Sequence, residues 1–511
     1  HKALKRALRM TSVQARVIQE ETGGGFGGKE EFPSVLALHA SLLALKAKRP
    51  IRMIYERHED ISATTKRHPA IVRHRTGVTK EGLLVAQDIE VVMDGGAYCT
   101  LTPVVLSRGV LHAGGPYRCP VTRVRGRVVA TNHPPHGAFR GFGAPQTTFA
   151  YERQMEKLAH HLGEDSLALR KRLALRSGDS TSTGQVLGFS VGTDEVIGAI
   201  EKAAGTPPAK DGVRNGTPVK RGRGIAFYFH GAGFTGSGEK YLAGEATLAA
   251  LPGGMFEVRS SSTDIGQGAT TIFTQIAATA LGVTPEQITV IEPKTSLVPD
   301  SGPTVASRTC MVVGGLIDKA GRELREHLAA NDGVREVTKQ YEQPPGIAWD
   351  DATYTGSAYP VYGWAACLVD VSVDVDTYEV HVDRCVHAVD VGKAINPVIV
   401  QGQIEGGTLQ ALGWAILENV LYKDGKVINA NMTNCIVPTF ADAPELETII
   451  VECPYPFGPS GAKGVGEIPM DGPAAAVANA VEDALGVPFD ALPLSPETVR
   501  LAWGAARGGA S

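Results

Sequence analysis

Gly23-Gly24-Gly25-Phe26-Gly27-Gly28-Lys29-Glu30 is the stretch on which the reading of this chain turns. Successive glycines let backbone amides converge on an anion or an oxo group with no side chain in the way. Two weaker patterns overlap in it. Gly23-x4-Gly28-Lys29 fits a P-loop, but Glu30 stands where Ser or Thr must hold magnesium, and the P-loop reading fails there. Gly23-x-Gly25-x-x-Gly28 fits a dinucleotide fingerprint. That reading stays open, because Val13 to Glu20 can form a strand and Glu56 lies in the right range downstream. Residues 33 to 48 place Val35, Leu38, Leu42 and Leu45 at helical spacing between Pro33-Ser34 and the basic end Lys46-Ala47-Lys48-Arg49. The expected local order is strand, glycine loop, helix. A merely structural glycine turn is the third possibility.

Outward from this loop, the 511 residues exceed one ordinary core, so two or more domains are expected. Apolar residues make up 43% and charged residues 20%, a globular balance, and a net charge of −4 gives no footprint for nucleic acid or an anionic membrane. No stretch has the apolar length of a membrane span, and His1-Lys2-Ala3-Leu4-Lys5-Arg6 lacks a secretory apolar segment, so a soluble, cytoplasmic protein is expected. The first residue is His, which leaves processing, trimming or a missing start open. The seven cysteines are scattered without Cys-x-x-Cys spacing, which argues against an iron-sulfur cluster, a structural zinc or a disulfide framework within this chain.

Strand-like runs at Leu83 to Met93, Ala246 to Val258 around Leu251-Pro252-Gly253-Gly254, and Leu368 to Val382 around Asp376-Thr377 alternate with helical patterns. The latter lie near 147 to 162, 269 to 282, 306 to 330, 398 to 416 and 473 to 485, so the class is mixed α and β (α+β). Pro207 to Lys220 is polar, Pro/Gly-rich and aperiodic. It divides the chain into a first domain, 1–206, a linker, 207–220, and a second domain, 221–511.

Further motifs follow the glycine loop in order: Phe139-Arg140-Gly141-Phe142-Gly143-Ala144-Pro145-Gln146, Asp264-Ile265-Gly266-Gln267-Gly268, Gln401-Gly402-Gln403-Ile404-Glu405-Gly406-Gly407 and Gly464-Val465-Gly466-Glu467-Ile468-Pro469. Together, over nearly the whole chain, they resemble the molybdenum-binding subunit of the xanthine dehydrogenase and aldehyde oxidase family. The resemblance implies a two-lobed molybdopterin-binding fold in which both domains hold the cofactor. It also implies that a substantial N-terminal part of the usual subunit, which supplies a further glutamine near the metal, precedes the first loop. A separate subunit or lost chain would account for that part.

The resemblance assigns roles residue by residue. Glu467 takes the place of the catalytic glutamate, although Ile468 replaces a proline common there. A positioned carboxylate contributes roughly 10²- to 10⁴-fold as a general base. Glu30, Arg108, Phe142, Phe234 and Thr235 match substrate-binding positions. The carboxyl group and the arginine fork serve a purine's oxygens and nitrogens, and the two rings sandwich a flat heterocycle. Gly25, Phe26, Gly27, Arg140, Gln267, Ala306, Ser307 and Gln403 match cofactor-binding positions; Phe26, Arg140 and Ala306 line the molybdenum without ligating it. Taken singly, each has a plainer reading: Glu30 as a helix N-terminal acid, Arg108 as a surface residue, the phenylalanines as core, Ser307 and Thr309 as helix caps, Glu467 as a satisfied buried carboxylate.

The implied activity is hydroxylation of xanthine or hypoxanthine with oxygen from water. Its cofactor is a molybdenum-molybdopterin, in mono- or dinucleotide form, with electrons passed to 2Fe-2S and FAD on partner subunits. The alternatives are an aldehyde oxidoreductase, which generally lacks the Glu30 and Arg108 pair, or a hydroxylase of another N-heterocycle such as nicotinate. Carbon monoxide dehydrogenases carry a cysteine in the loop where this chain has Gly137 to Phe142. Outside the enzymes, a silent cofactor-binding or assembly module is the rival, and Glu467 argues against it.

Overall fold

A computed structural model describes residues 1–508. Strands β1 (Ala70–Val78), β2 (Leu84–Gly96) and β3 (Val121–Ala130) form one sheet in that order, β1 antiparallel and β3 parallel to β2. A parallel pair needs a crossover, and the helix Thr102–His112 supplies it. The helix Ala144–Leu162 then starts just after the Phe139-Arg140 motif.

Strands β4 (Asp211–Arg214) and β5 (Thr217–Ala232) pair as a hairpin, so the segment 207–220, read above as an aperiodic linker, is largely strand. Thr217-Pro218-Val219 carries little alternation of its own; pairing of Val219-Lys220 with Asp374-Val373 of a distant strand holds the segment in the sheet. Four strands, β6 (Glu245–Leu251), β7 (Met255–Arg259), β8 (Ile288–Val290) and β9 (Glu336–Gln340), form a sheet in the order β8-β7-β6-β9, packed by the helices Ala269–Leu281 and Gly314–Ala330.

After the two-residue hairpin β10 (Trp349–Asp350) and β11 (Thr355–Gly356) come the long strands β12 (Val361–Asp374) and β13 (Val380–Asp390). The carboxylate of Asp374 accepts the N–H groups of Asp376 and Thr377 at 2.8 Å each, which makes the turn between them. Past a second small hairpin, β14 (Tyr422–Lys423) and β15 (Lys426–Val427), strand β16 (Glu445–Val451) completes a five-stranded sheet, β16-β13-β12-β5-β4.

The alanine-rich helix Pro473–Leu485 lies on β5 and buries Val477 and Val481 completely, worth roughly 1.5–3 kcal/mol each. Gly224 of β5 permits this approach, since a Cβ there would overlap the Ala476 carbonyl. One apolar core runs through Tyr117, Tyr151 and Leu169 from before residue 206 and Phe227, Trp364 and Val386 from beyond it.

Two other local expectations fail. Residues 13–20 form no sheet strand: Ile18 makes an isolated bridge to Lys294, and Val13 is 93% exposed with no sheet to join. The dinucleotide reading therefore loses the strand on which it depends, and Glu56 precedes the short helix Arg57–Ala63 instead. The helix expected from 306 begins only at Thr309, with a π-turn through Val313, because Ala306 and Ser307 take left-handed backbone. Among the described residues, no helix is long and apolar enough to cross a membrane.

Candidate active site

The glycine loop meets the Phe139-Arg140 motif directly. Gly27, at φ +101°, sits where a Cβ would lie 2.7 Å from the Ala138 carbonyl carbon, and the Arg140 N–H donates to the Phe26 carbonyl at 2.8 Å. Only glycine permits that contact and that φ together. The Arg140 side chain ties three segments: Nε donates to the Gly466 carbonyl (2.6 Å), Nη1 to Gln410 Oε1 (3.0 Å) and Nη2 to the Gln403 carbonyl (2.8 Å). From the other side, Ala306 and Ser307 stand at φ +55° and +52°. Non-glycine residues held left-handed cost about 1–3 kcal/mol each and persist where the surroundings over-determine them. Here the Gly233 N–H donates to the Ala306 carbonyl at 2.9 Å, and Gly464 packs so closely on the Ser307 carbonyl that no Cβ fits.

These contacts enclose a cavity of about 840 Å³, within the range of cofactor and substrate sites. Every residue singled out from the sequence lines it: Gly25, Phe26, Gly27, Glu30, Arg108, Arg140, Phe142, Phe234, Thr235, Gln267, Ala306, Ser307, Gln403 and Glu467.

Glu467 is held at its oxygens. Ser307 Oγ donates to Oε2 at 2.9 Å and accepts the Glu467 N–H at 3.1 Å; His230 Nε2 lies 3.3 Å and Arg108 Nη1 3.9 Å from Oε2. Burial opposes ionisation, but Arg108, His230 and the Ser307 hydroxyl more than offset it and hold the carboxyl down at about 2. Glu30 goes the opposite way: burial, then the negative charges of Glu467 and Glu31, push it up to about 8. Two carboxyl groups of one cavity therefore differ in charge at neutral pH.

Arg108, 2% exposed, spends much of its fork on the protein: Nη1 donates to the Gly231 carbonyl (2.9 Å) and Nη2 to that of Gly233 (2.8 Å), with the Tyr359 ring 5.1 Å away. Its Nε has no partner among the described residues. Thr235 Oγ1 is 2.7 Å from the Tyr359 hydroxyl. Gln267 braces its own loop, Oε1 accepting from the Ile265 N–H and Nε2 donating to the Thr263 carbonyl. Ser307 bonds Glu467 and caps no helix. Burial raises the Cys310 thiol at the cavity wall to about 12, so it faces the cavity protonated.

His230 and Asp471 escaped the sequence reading. His230 Nδ1 is 2.6 Å from Asp471 Oδ2, and Nε2 is 2.7 Å from Arg108 Nη1. Burial disfavours a charged imidazole, yet the carboxylate beside it raises the His230 pKa above the ordinary value. With Nδ1–H donating to Asp471, Nε2 accepts from Arg108; once protonated, it donates to Glu467. The one available signal was a histidine inside the apolar strand Ile225-Ala226-Phe227-Tyr228-Phe229-His230, where a buried polar side chain needs a partner.

Comparison with known proteins defines the class. Residues 1–174 match one molybdopterin cofactor-binding domain, and residues 200–340 and 329–444 match a second. The chain is 32% identical over 525 residues to a probable xanthine dehydrogenase subunit of Bacillus subtilis, covering 97% of this chain and 70% of that protein. It is 33% identical to the aldehyde oxidoreductase of Megalodesulfovibrio gigas over 95% of this chain, and spans 54% of that relative's length. The solved aldehyde oxidoreductase from Desulfovibrio gigas superposes with a TM-score of 0.87 at 30% identity, over 98% of this chain and 56% of that one. This is a molybdopterin-binding oxidoreductase fold. The chain belongs to the xanthine dehydrogenase and aldehyde oxidase family as a molybdenum-binding subunit.

Proposed function

We propose that this chain hydroxylates a purine-type N-heterocycle, xanthine or hypoxanthine, with water as oxygen source, and passes the electrons to partner subunits. The observation that carries the reading is the pair of carboxyl groups in opposite charge states, Glu467 down at about 2 and Glu30 up at about 8, with Arg108 acting on both. An ionised Glu467 is a base; a protonated Glu30 donates a hydrogen bond to a ring nitrogen or carbonyl, where a carboxylate would repel it.

The cavity fits a molybdopterin. Gly25, Gly27, Gly464 and Gly466 contribute backbone without side chains to its walls, and the Gln403 amide among the lining residues offers both a donor and an acceptor to a pterin edge. Gly25, Phe26, Gly27, Gln267 and Gln403 would hold the pterin, with the Phe26 backbone, Arg140 and Ala306 beside the metal. When bound, the cofactor supplies the two-electron redox chemistry. Glu467 Oε2, oriented by Ser307, takes the proton from the oxygen nucleophile. His230 and Arg108 keep that carboxylate ionised until it does so. Phe142 and Phe234 fix the plane of the substrate ring, and Glu30 sets its register.

The seven cysteines are free, and among the described residues none belongs to a cluster of three metal-ligating side chains; the reading places 2Fe-2S, with FAD, on partner subunits. The helix Phe32–Ala47 buries none of its residues and exposes Leu42, Leu43 and Leu45; that surface suits the N-terminal part of the subunit expected before the first loop. A cytoplasmic location for the complex is part of the same proposal.

Aldehyde oxidation is the second reading, favoured by the Arg108 bonds to Gly231 and Gly233, which leave less of the fork for substrate. Comparing kcat/KM for xanthine, hypoxanthine, nicotinate and an aromatic aldehyde on the intact complex separates the two. Preference for the purines is the expected result; preference for the aldehyde by tenfold or about 1.4 kcal/mol in transition-state binding would replace the substrate.

A further inference from the structure

We propose that Asp94, His133 and His136 form a second metal site, for a divalent ion of the zinc class, away from the molybdopterin cavity. None of the three lines that cavity. Asp94 lies at the end of β2, where the register with β3 slips between Asp94 and Gly96; His133 and His136 lie in Asn132-His133-Pro134-Pro135-His136, just beyond β3. The parallel pairing of β2 and β3 brings both strand ends to the same edge. Gly96 then lets the Pro134 carbonyl pass so closely that no Cβ would fit.

His133 Nδ1 is 2.6 Å and His136 Nε2 3.5 Å from Asp94 Oδ2, and the three ligand atoms lie within 4.8 Å of one another. Zinc bonds of about 2.0–2.2 Å in a tetrahedral arrangement put ligand atoms roughly 3.3–3.5 Å apart. The His136 separation already has that value; the His133 contact opens by less than an ångström when its proton leaves.

Two further observations point to an ion. His136 is fully buried, its Nδ1 has no polar partner among the described residues, and its Nε2 has nothing closer than the 3.5 Å approach to Asp94. A buried imidazole with both nitrogens so poorly served calls for a bound water or ion. Asp94 is also oriented as ligating carboxylates are: Oδ1 accepts from the Gly96 N–H at 2.8 Å and from Thr131 Oγ1 at 2.7 Å, which turns Oδ2 toward the histidines. The His133 ring stacks on Tyr422 at 4.4 Å, and its side chain is 34% exposed, so an ion reaches the cluster from solvent. Phe139 and Arg140 follow His136 within a few residues, so the ion pins the segment that enters the active site.

The test is Co²⁺ titration of the untagged, chelator-treated complex, followed by visible absorption and calorimetry. One Co²⁺ per chain is expected, with the strong d–d bands of low coordination, displaced by Zn²⁺. Affinity should fall by roughly 10- to 100-fold or more in His133→Ala and in His136→Gln. His133 is exposed enough to be replaced without loss of fold, so an unstable His136 variant does not block the test. Absence of stoichiometric uptake by the parent protein would assign the His136 nitrogens to water and overturn the site. Colour and affinity unchanged in His133→Ala would also overturn it.

Discussion

Glu467→Gln keeps the shape of the side chain and removes the base. Turnover should fall by roughly 10²- to 10⁴-fold with molybdenum and pterin content unchanged, measured on the same preparation. Glu30 gives a pH signature. Its folded pKa, about 8, lies above its ordinary value of 4.5, so the folded chain holds a proton that the unfolded chain has lost between those limits. Its contribution to stability is full below about 4.5 and declines as pH rises to 8. The melting temperature of the parent relative to Glu30→Gln should fall over that window, and the alkaline limb of kcat/KM near 8 should vanish in Glu30→Gln. Asp471→Asn removes the charge that raises His230, so His230⁺ no longer supports Glu467; the acid limb of kcat/KM should move to higher pH. The lining residues were legible because short motifs hold them. His230 and Asp471 were not, since they are 241 residues apart and meet only where the chain just past the Ile468-Pro469-Met470 turn reaches the end of β5.

Helices were legible at the scale of elements: Phe32–Ala47, Ala269–Leu281, Pro397–Ile416 and Pro473–Leu485 fall where the sequence placed them, between a proline or glycine start and a helix-ending residue. The β4-β5 hairpin was not, because tertiary pairing with β12 decides it, and the late start after Ser307 was not, because the Glu467 contact decides the backbone there. The approach of the helix Pro473–Leu485 to β5 makes a direct prediction. Gly224→Ala forces a Cβ against the Ala476 carbonyl and should destabilise the protein by at least about 1–3 kcal/mol in denaturant titration.

Across the whole molecule, a core and a cavity are shared by residues from both sides of the 207–220 segment. Glu30 and Arg108 come from the first part, Ser307 and Glu467 from the second. Separately produced 1–206 and 221–511 should each lack cofactor and expose apolar surface to a reporter dye, and the joined chain should not. Mixed α and β class and the order of motifs were readable from sequence; the shared core was not, because it depends on which sheet faces meet. The central claim is tested most directly by anaerobic addition of xanthine to the intact, molybdenum-replete complex, following bleaching of its iron-sulfur and flavin absorbance. Rapid bleaching with urate formed is the expected result, and no bleaching by xanthine, in a sample that an aldehyde or nicotinate does reduce, would contradict it.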